Sequence, residues 1–242
     1  MICIFDKDDF RFSNTAVTIG KFDALHIGHK ALIGRMAEYK KAGLKTVVLR
    51  LDIPSDGYPG YSGDYCNAGN CGYLRYSDNS EGSGNLGNSG DSGNLGNSGD
   101  SGNLGDSWQQ IRTESERIGI LERLGTDIYI RLAFTEKLAR MSAEDFIKDY
   151  LVGKLDVRKL IVGEDFRFGH ERRGNIEMLT DAGRKYGFET TEVAKIRMNG
   201  EAVSSSNIRR LLKNGETEKV RELLGDDRDL RNADQISAFL KE

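Results

Sequence analysis

Proline is almost missing from this chain, with two in 242 residues, and histidine and cysteine number three each. Each scarcity closes off a class of protein. Cys3, Cys66 and Cys71 are too few and too unevenly placed for a disulfide framework. Cys66 and Cys71 flank NAGN and lie far along the chain from every histidine, so a zinc centre, which usually needs four nitrogen or sulfur ligands, is not expected. No run approaches the roughly 20 apolar residues that span a bilayer. The N-terminus, MICIFDKDDF, has neither the basic leader nor the apolar core of a signal peptide. Neither sign of charge is in surplus, with 35 basic against 38 acidic side chains. A protein that coats nucleic acid should carry a basic excess or basic clusters. The expectation is a soluble, cytoplasmic protein with no membrane or nucleic-acid partner. Its oligomeric state is not legible from composition.

Glycine, by contrast, is abundant and concentrated. From about Ser55 to Ser107, Gly, Ser, Asn, Asp and Tyr displace the aliphatic residues. Inside this stretch the unit SGNLGNSGD is written twice, from Ser83 to Asp100, and SGNLGDS follows. Gly recurs at every third position from 84 to 105. A collagen-like triple helix would need proline in those triplets, and they have none. A calcium-binding β-roll would need other offsets and more copies. The expected state is a flexible insert, since Gly, Ser and Asn bury too little apolar surface to offset the entropy of ordering. Without it about 190 residues remain, enough for one α/β domain.

The remainder alternates between strand and helix patterns. AVTIG (16–20), TVVLRL (46–51), IYIRLAF (128–134), KLIVGEDF (159–166) and FETTEVAKI (188–196) read as strands. Helical spacing is predicted from His26 to a C-terminal stop at Gly43, from Trp108 to Gly125, from a capping-box-like Ser142-x-x-Asp145 onward, and from Asn175 to about Tyr186. Two short helices ending in glycine follow, SSSNIRRLLKNG and ETEKVRELLG. This order calls for an α/β fold, a Rossmann-like parallel sheet with helices on both faces. Ligands of such folds sit at the carboxyl ends of the strands.

Three groups of residues fall at those ends. The first is GKFDALHIGH (20–29), which spends two of the three histidines on one helix start. A helix N-terminus has unsatisfied N–H groups and partial positive charge, and His26 and His29 would add donors for phosphate, with Gly28 keeping bulk away from the ligand. A metal reading of the pair would need a third ligand, and His170 is the remaining histidine. The second group is VSSSNIRR (203–210), where serine hydroxyls and an arginine fork precede and open a helix. Taken alone, it also fits an ordinary serine cap. The third is VGEDFRFGHERRGN (162–175), in which Asp165 could accept hydrogen bonds and Phe166 and Phe168 could flank a flat ring or belong to the core.

With these residues in view, the chain resembles the adenylyltransferase domain of bacterial FAD synthetase, the bifunctional riboflavin kinase/FMN adenylyltransferase, a branch of the HxGH nucleotidyltransferases. The resemblance lies in GKFDALHIGH, VGEDFRFGHERRGN and VSSSNIRRLLKNGETEKVRELLG, and extends to RTESERIGILERLGTDIYI and SAEDFIKDYL. It implies transfer of AMP from ATP to FMN, giving FAD and pyrophosphate, with Mg2+ accompanying the ATP. On motif match it implies catalytic roles for His26, His29 and Arg209. Gly20, Lys21, Phe22, Asp23, Gly28, Ser205, Ser206 and Arg209 would bind ATP, and Asp52, Asp165, Phe166 and Phe168 would form the flavin side. Residues 1–225 would be the nucleotidyltransferase domain and 226–242 a helical tail. Three departures qualify this, one being that the low-complexity insert begins at the stretch that follows the second strand pattern. RLDIPS keeps Asp52 but replaces the family's Pro-His-Pro element, and no kinase barrel follows residue 225, so no riboflavin kinase activity is expected. Two other functions stay open: a nucleotidyltransferase with another phosphate-ester acceptor, and an inactive nucleotide-binding regulator.

Overall fold

A computed structural model describes residues 1–53 and 111–225. The low-complexity stretch, Cys66, Cys71 and the tail after residue 225 lie outside the described residues. The described chain runs β1 (Ile2–Phe5), β2 (Thr15–Gly20), α1 (Ile27–Lys41), β3 (Lys45–Asp52), α2 (Glu114–Arg123), β4 (Ile128–Ala133), α3 (Glu136–Ala139), α4 (Ala143–Phe146), β5 (Val157–Gly163), α5 (Ile176–Tyr186), β6 (Glu189–Val193), β7 (Arg197–Met198), β8 (Glu201–Ala202), α6 (Ser205–Lys213) and α7 (Thr217–Leu224). Six strands form one parallel sheet in the order β1-β4-β3-β2-β5-β6.

The strand pattern explains the layers. Alternate residues of a strand face opposite sides of its sheet. Val47, Leu49, Ile128, Ile130, Leu160 and Val162 enter one core with Phe146, Leu151 and Leu179. Val48, Tyr129 and Ile161 enter the other, against Leu32, Ile33 and Met36 of α1 and Ile120 and Leu121 of α2. A fully buried aliphatic side chain contributes about 1.5–3 kcal/mol, so two such layers hold the sheet between helices. A third cluster joins Val203, Ile208, Leu211, Val220 and Leu223 to Ala24 and Ile27, clamping α6 and α7 over the start of α1. Lys30, buried in α1, donates from Nζ to the Gly225 carbonyl at 2.8 Å and ties the same two regions together.

Several local expectations are corrected. β1 had no strand signal, being four residues at the sheet edge. The helix expected from Trp108 begins at Glu114, where Thr113 and Glu116 form a capping box. The helix capped by Ser142 passes at Ile147 into a π-helical stretch ending at Lys154. The strand expected over 188–196 is confined to Glu189–Val193. A two-stranded hairpin follows, turned by Asn199 and Gly200, both at positive φ (53° and 82°), the signature of an Asn-Gly turn. It delivers the chain to Ser204 and α6.

The topology makes one opening. β2 is followed by β3 on one side and, later, by β5 on the other, so the winding reverses between β2 and β5. β2 stays paired with β3 to Gly20, and β5 with β6 to Gly163, but β2 and β5 pair with each other only as far as Thr18 and Ile161. Beyond that point the two strands separate at their carboxyl ends, which is where a doubly wound sheet binds ligands.

Candidate active site

The loop leaving β2 is held from below by arginines. Arg50 Nε donates to the Lys21 carbonyl at 3.0 Å, Arg117 Nε to the Phe22 carbonyl at 3.0 Å, and Arg112 Nε to the Ala24 carbonyl at 2.8 Å. A second Arg117 nitrogen reaches the Asp23 carbonyl at 3.4 Å. Arg117 is fully buried, and Glu114 balances it, accepting from Arg117 at 2.5 Å, from Arg50 at 3.3 Å and from the Tyr129 hydroxyl at 2.7 Å. Burial and that bond to Glu114 push the Tyr129 phenol up. Phe22 and Leu25 sit at positive φ (46° and 44°). Such non-glycine conformations cost about 1–3 kcal/mol each and persist only where surroundings over-determine them. Here both side chains are fully buried, and the Phe22 carbonyl is taken by Arg117.

His26 is the N-cap of α1 rather than its first residue. Its Nδ1 accepts from the His29 N–H at 3.3 Å, which assigns the ring proton of the neutral form to Nε2. The two imidazoles stack with centroids 3.8 Å apart, and Phe22 closes on His29 at 5.0 Å. Burial pushes His26 down to about 4, and burial together with His26 holds His29 well below the usual histidine value. At neutral pH both rings are therefore uncharged donors. His29 Nδ1 is buried and has no hydrogen-bond partner among the described residues. Gly28 serves the cap, because a Cβ there would lie 3.1 Å from the His26 ring.

Across the crevice, Ser204 rather than Ser205 or Ser206 caps α6, accepting from Asn207 N–H at 3.2 Å. Ser205 and Ser206 thus occupy the first turn, half-buried and exposed respectively. Arg209, one turn on, forms an ion pair with Asp23, whose other oxygen lies 3.8 Å from Arg117. The loop after β2 and the serine–arginine helix therefore meet. Lys21 belongs to the same cluster: partial desolvation by the surrounding loop, then Arg172 and Arg209, push its ammonium down, while Asp23 opposes them, although the residue itself stays exposed.

The residues expected on the flavin side are arranged differently. Asp52, at the end of β3, pairs with Arg50 at 2.7 Å. Asp165 is exposed and pairs with Lys195 at 2.8 Å. Phe166 and Phe168 stack at 5.6 Å, but Phe168 belongs to the core, covered by Phe146 and by Gly174, and only Phe166 is part-exposed.

Sequence reasoning missed Arg50, Arg112, Glu114, Arg117 and Arg172 as site residues. A signal existed for two of them. Arg50 interrupts the apolar run TVVLRL, and Arg117 falls on the buried stripe of α2 with Ile120 and Leu121. A charged residue at a core position needs a partner, and that partner is the loop.

A parallel sheet, doubly wound about a switch point between β2 and β5, defines the class, a Rossmann-like α/β fold. Within that class the chain belongs to the FAD synthetase family, whose model matches residues 9–54 and 104–207. The bifunctional riboflavin kinase/FMN adenylyltransferase of Buchnera aphidicola subsp. Schizaphis graminum is 29% identical over 214 residues, covering 88% of this chain and 55% of that protein. The Escherichia coli K12 protein of the same name is 36% identical over 110 residues, 46% of this chain and 35% of that one. The Listeria monocytogenes FAD synthetase is 33% identical over 114 residues, 47% of this chain and 45% of that one. The chain spans about half the length of the first of these relatives. A crystal structure titled macrolide-efflux protein from Streptococcus pneumoniae shares the fold, with a TM-score of 0.66 at 20% identity over 93% of this chain and 60% of that one.

Proposed function

We propose that this chain is an FMN adenylyltransferase. An FMN phosphate oxygen attacks the α-phosphorus of ATP, the bond from that phosphorus to the β-phosphate's bridging oxygen breaks, and FAD and pyrophosphate result. The observation that carries the reading is the Asp23–Arg209 ion pair, which brings the loop of β2 and the start of α6 together over one crevice. His26 and His29 offer neutral N–H donors where negative charge grows at the α-phosphoryl oxygens. Preorganised donors in a desolvated site stabilise such charge without reorganising. Ser205, Ser206 and Arg209 take the β- and γ-phosphates. Arg209 exchanges Asp23 for phosphate oxygens, and Asp23 keeps Arg117 as its neighbour. Asp165 and Phe166 receive the flavin, with Phe168 supporting Phe166 from the core. Mg2+ neutralises phosphate charge when bound. Asp23 already faces two guanidiniums, so phosphate oxygens and water suit that ion better than a protein cage.

One observation favours a second acceptor. Asp52 is engaged by Arg50, and the family's Pro-His-Pro element beside it is replaced. A different phosphate ester then takes the place of FMN. An inactive nucleotide-binding regulator is the remaining alternative. Incubation with ATP, Mg2+ and either FMN or another phosphate ester, followed by chromatography, separates the three. FAD formation supports the first reading, turnover with another phosphate ester the second, and ATP binding without turnover the third.

A further inference from the structure

Arg50 is a buried guanidinium near the end of β3, and its three nitrogens go to three different parts of the chain. Nε donates to the Lys21 carbonyl at 3.0 Å. One terminal nitrogen lies 3.3 Å from Glu114 Oε2, at the start of α2. The other lies 2.7 Å from Asp52 Oδ1. Glu114 is itself fixed, since Arg117 and the Tyr129 hydroxyl hold its two oxygens. The pair with Asp52 is lopsided: the Arg50 side chain is 6% exposed and the Asp52 side chain 39%. The second Asp52 oxygen has no partner among the described residues. A guanidinium locked at two points thus holds a half-open carboxylate by the third, where β3 ends.

The same contacts set the charge. Asp52, Arg50, Glu114, Arg117, Asp23 and Arg209 form one chain of ion pairs, each residue facing the next of opposite sign. Three carboxylates balance three guanidiniums, so the Asp52 end is no anion site. A balanced carboxylate with a free oxygen can still accept a hydrogen bond. We propose that Arg50 is a positioning residue, which sets Asp52 to receive the uncharged, donor-bearing part of the acceptor, a hydroxyl or ring N–H. Arginine suits the task because its planar fork sends donors in fixed directions, whereas an ammonium sits on a flexible stem. Asp52 alone, at an exposed strand end, would sample several rotamers. The pair removes that freedom before the acceptor arrives, and preorganisation of this kind raises affinity by lowering the ordering cost.

This inference rests on the FMN reading above, and the experiment keeps the two apart. The full chain, its Asp52→Asn, Arg50→Met and Arg50→Lys variants, and each Arg50 change combined with Asp52→Asn are titrated by calorimetry. One series uses FMN, the other Mg2+ and a non-hydrolysable ATP analogue. Arg50→Met should weaken FMN binding about tenfold, the low end for losing a hydrogen bond to a charged group. Arg50→Lys should fall between it and the wild type. Affinity for the ATP analogue should change far less, because Arg117 and Arg112 still hold the neighbouring carbonyls. The losses should not add: with Asp52 already neutralised, Arg50→Met should cost FMN binding little more than Asp52→Asn alone, the mark of residues acting as one unit. A merely structural arginine would instead lower both affinities alike. Wild-type FMN affinity in Arg50→Met, losses that multiply in the double variant, or an equal fall for both ligands overturns the proposal. Should Arg50→Met fail to fold, Arg50→Lys, alone and with Asp52→Asn, decides by the same pattern. If the wild type does not bind FMN, the FMN reading fails and the positioning role falls with it.

Discussion

Two loops leave the sheet at the same crevice, after β2 and after β5, and they are built in opposite ways. In the first, Phe22, Ala24 and Leu25 are fully buried and the carbonyls are pinned by arginines. In the second, Glu164, Asp165 and Arg167 are exposed, and Asp165 is held by the single ion pair to Lys195. A loop with many buried contacts moves only with the core; one with few can adapt locally. On the proposed function, the fixed loop handles the phosphate common to all turnovers, and the adaptable loop receives the acceptor. Substitutions in the first should carry large consequences, and those in the second should stay local.

The contrast breaks most visibly at His29. Replacing it with alanine removes a donor from the fixed side and should lower kcat by about 10²–10³, the scale of losing one oxyanion-type donor. A rate within a few-fold of wild type would remove His29 from the chemistry. Arg209→Ala comes next. It should weaken ATP binding by roughly 10- to 100-fold, as expected for a charge-assisted contact worth about 1.5–3 kcal/mol, and leave FMN affinity in place. Equal losses for both ligands in equilibrium titrations would mean that the variant disturbs the crevice as a whole.

His26 offers a test by pH. Its folded value of about 4 lies below the ordinary 6.5, so between those values the unfolded chain binds the extra proton. Stability from this group is complete above about pH 6.5 and is lost as pH falls toward 4, by about 3 kcal/mol for a shift of that size. His29 pushes in the same direction. His26→Asn keeps a good cap for α1 but removes the titration. Urea unfolding at pH 7, 6 and 5 should therefore show a shallower decline for the variant. Parallel declines would assign the acid sensitivity elsewhere.

How much of this was legible depends on what each feature draws on. The strands β2, β3 and β5 could be read because β-branched runs carry their own pattern, and Gly43 and Gly187 mark helix ends by the positive φ they adopt. The three motifs were legible as composition, and the ion pair of Asp23 with Arg209 joins two of them across 186 residues. The arginine bed was not, because Arg50, Arg112 and Arg117 become partners of one loop only once β3 and α2 have docked. His26 as a cap was missed because histidine is an unusual cap, and its role depends on Gly28 yielding space. Phe168 shows the limit of local pattern: two phenylalanines two apart at a strand mouth look equivalent, yet one is core and the other part-exposed.

The smallest effect should come from Asp165→Asn on the adaptable side. The change removes the ion pair with Lys195 at an exposed position, where such pairs contribute about 0–1 kcal/mol. Thermal stability should stay near wild type and ATP affinity should not move. Only the KM for FMN should rise, by a factor of roughly 2–5, matching the loss of one hydrogen-bond contribution of about 0.5–1 kcal/mol. A fall in ATP affinity as large as that of Arg209→Ala would erase the distinction between the loops. It would mean that the strand-end crevice responds as one unit, and that the exposure of Asp165 is no guide to its reach.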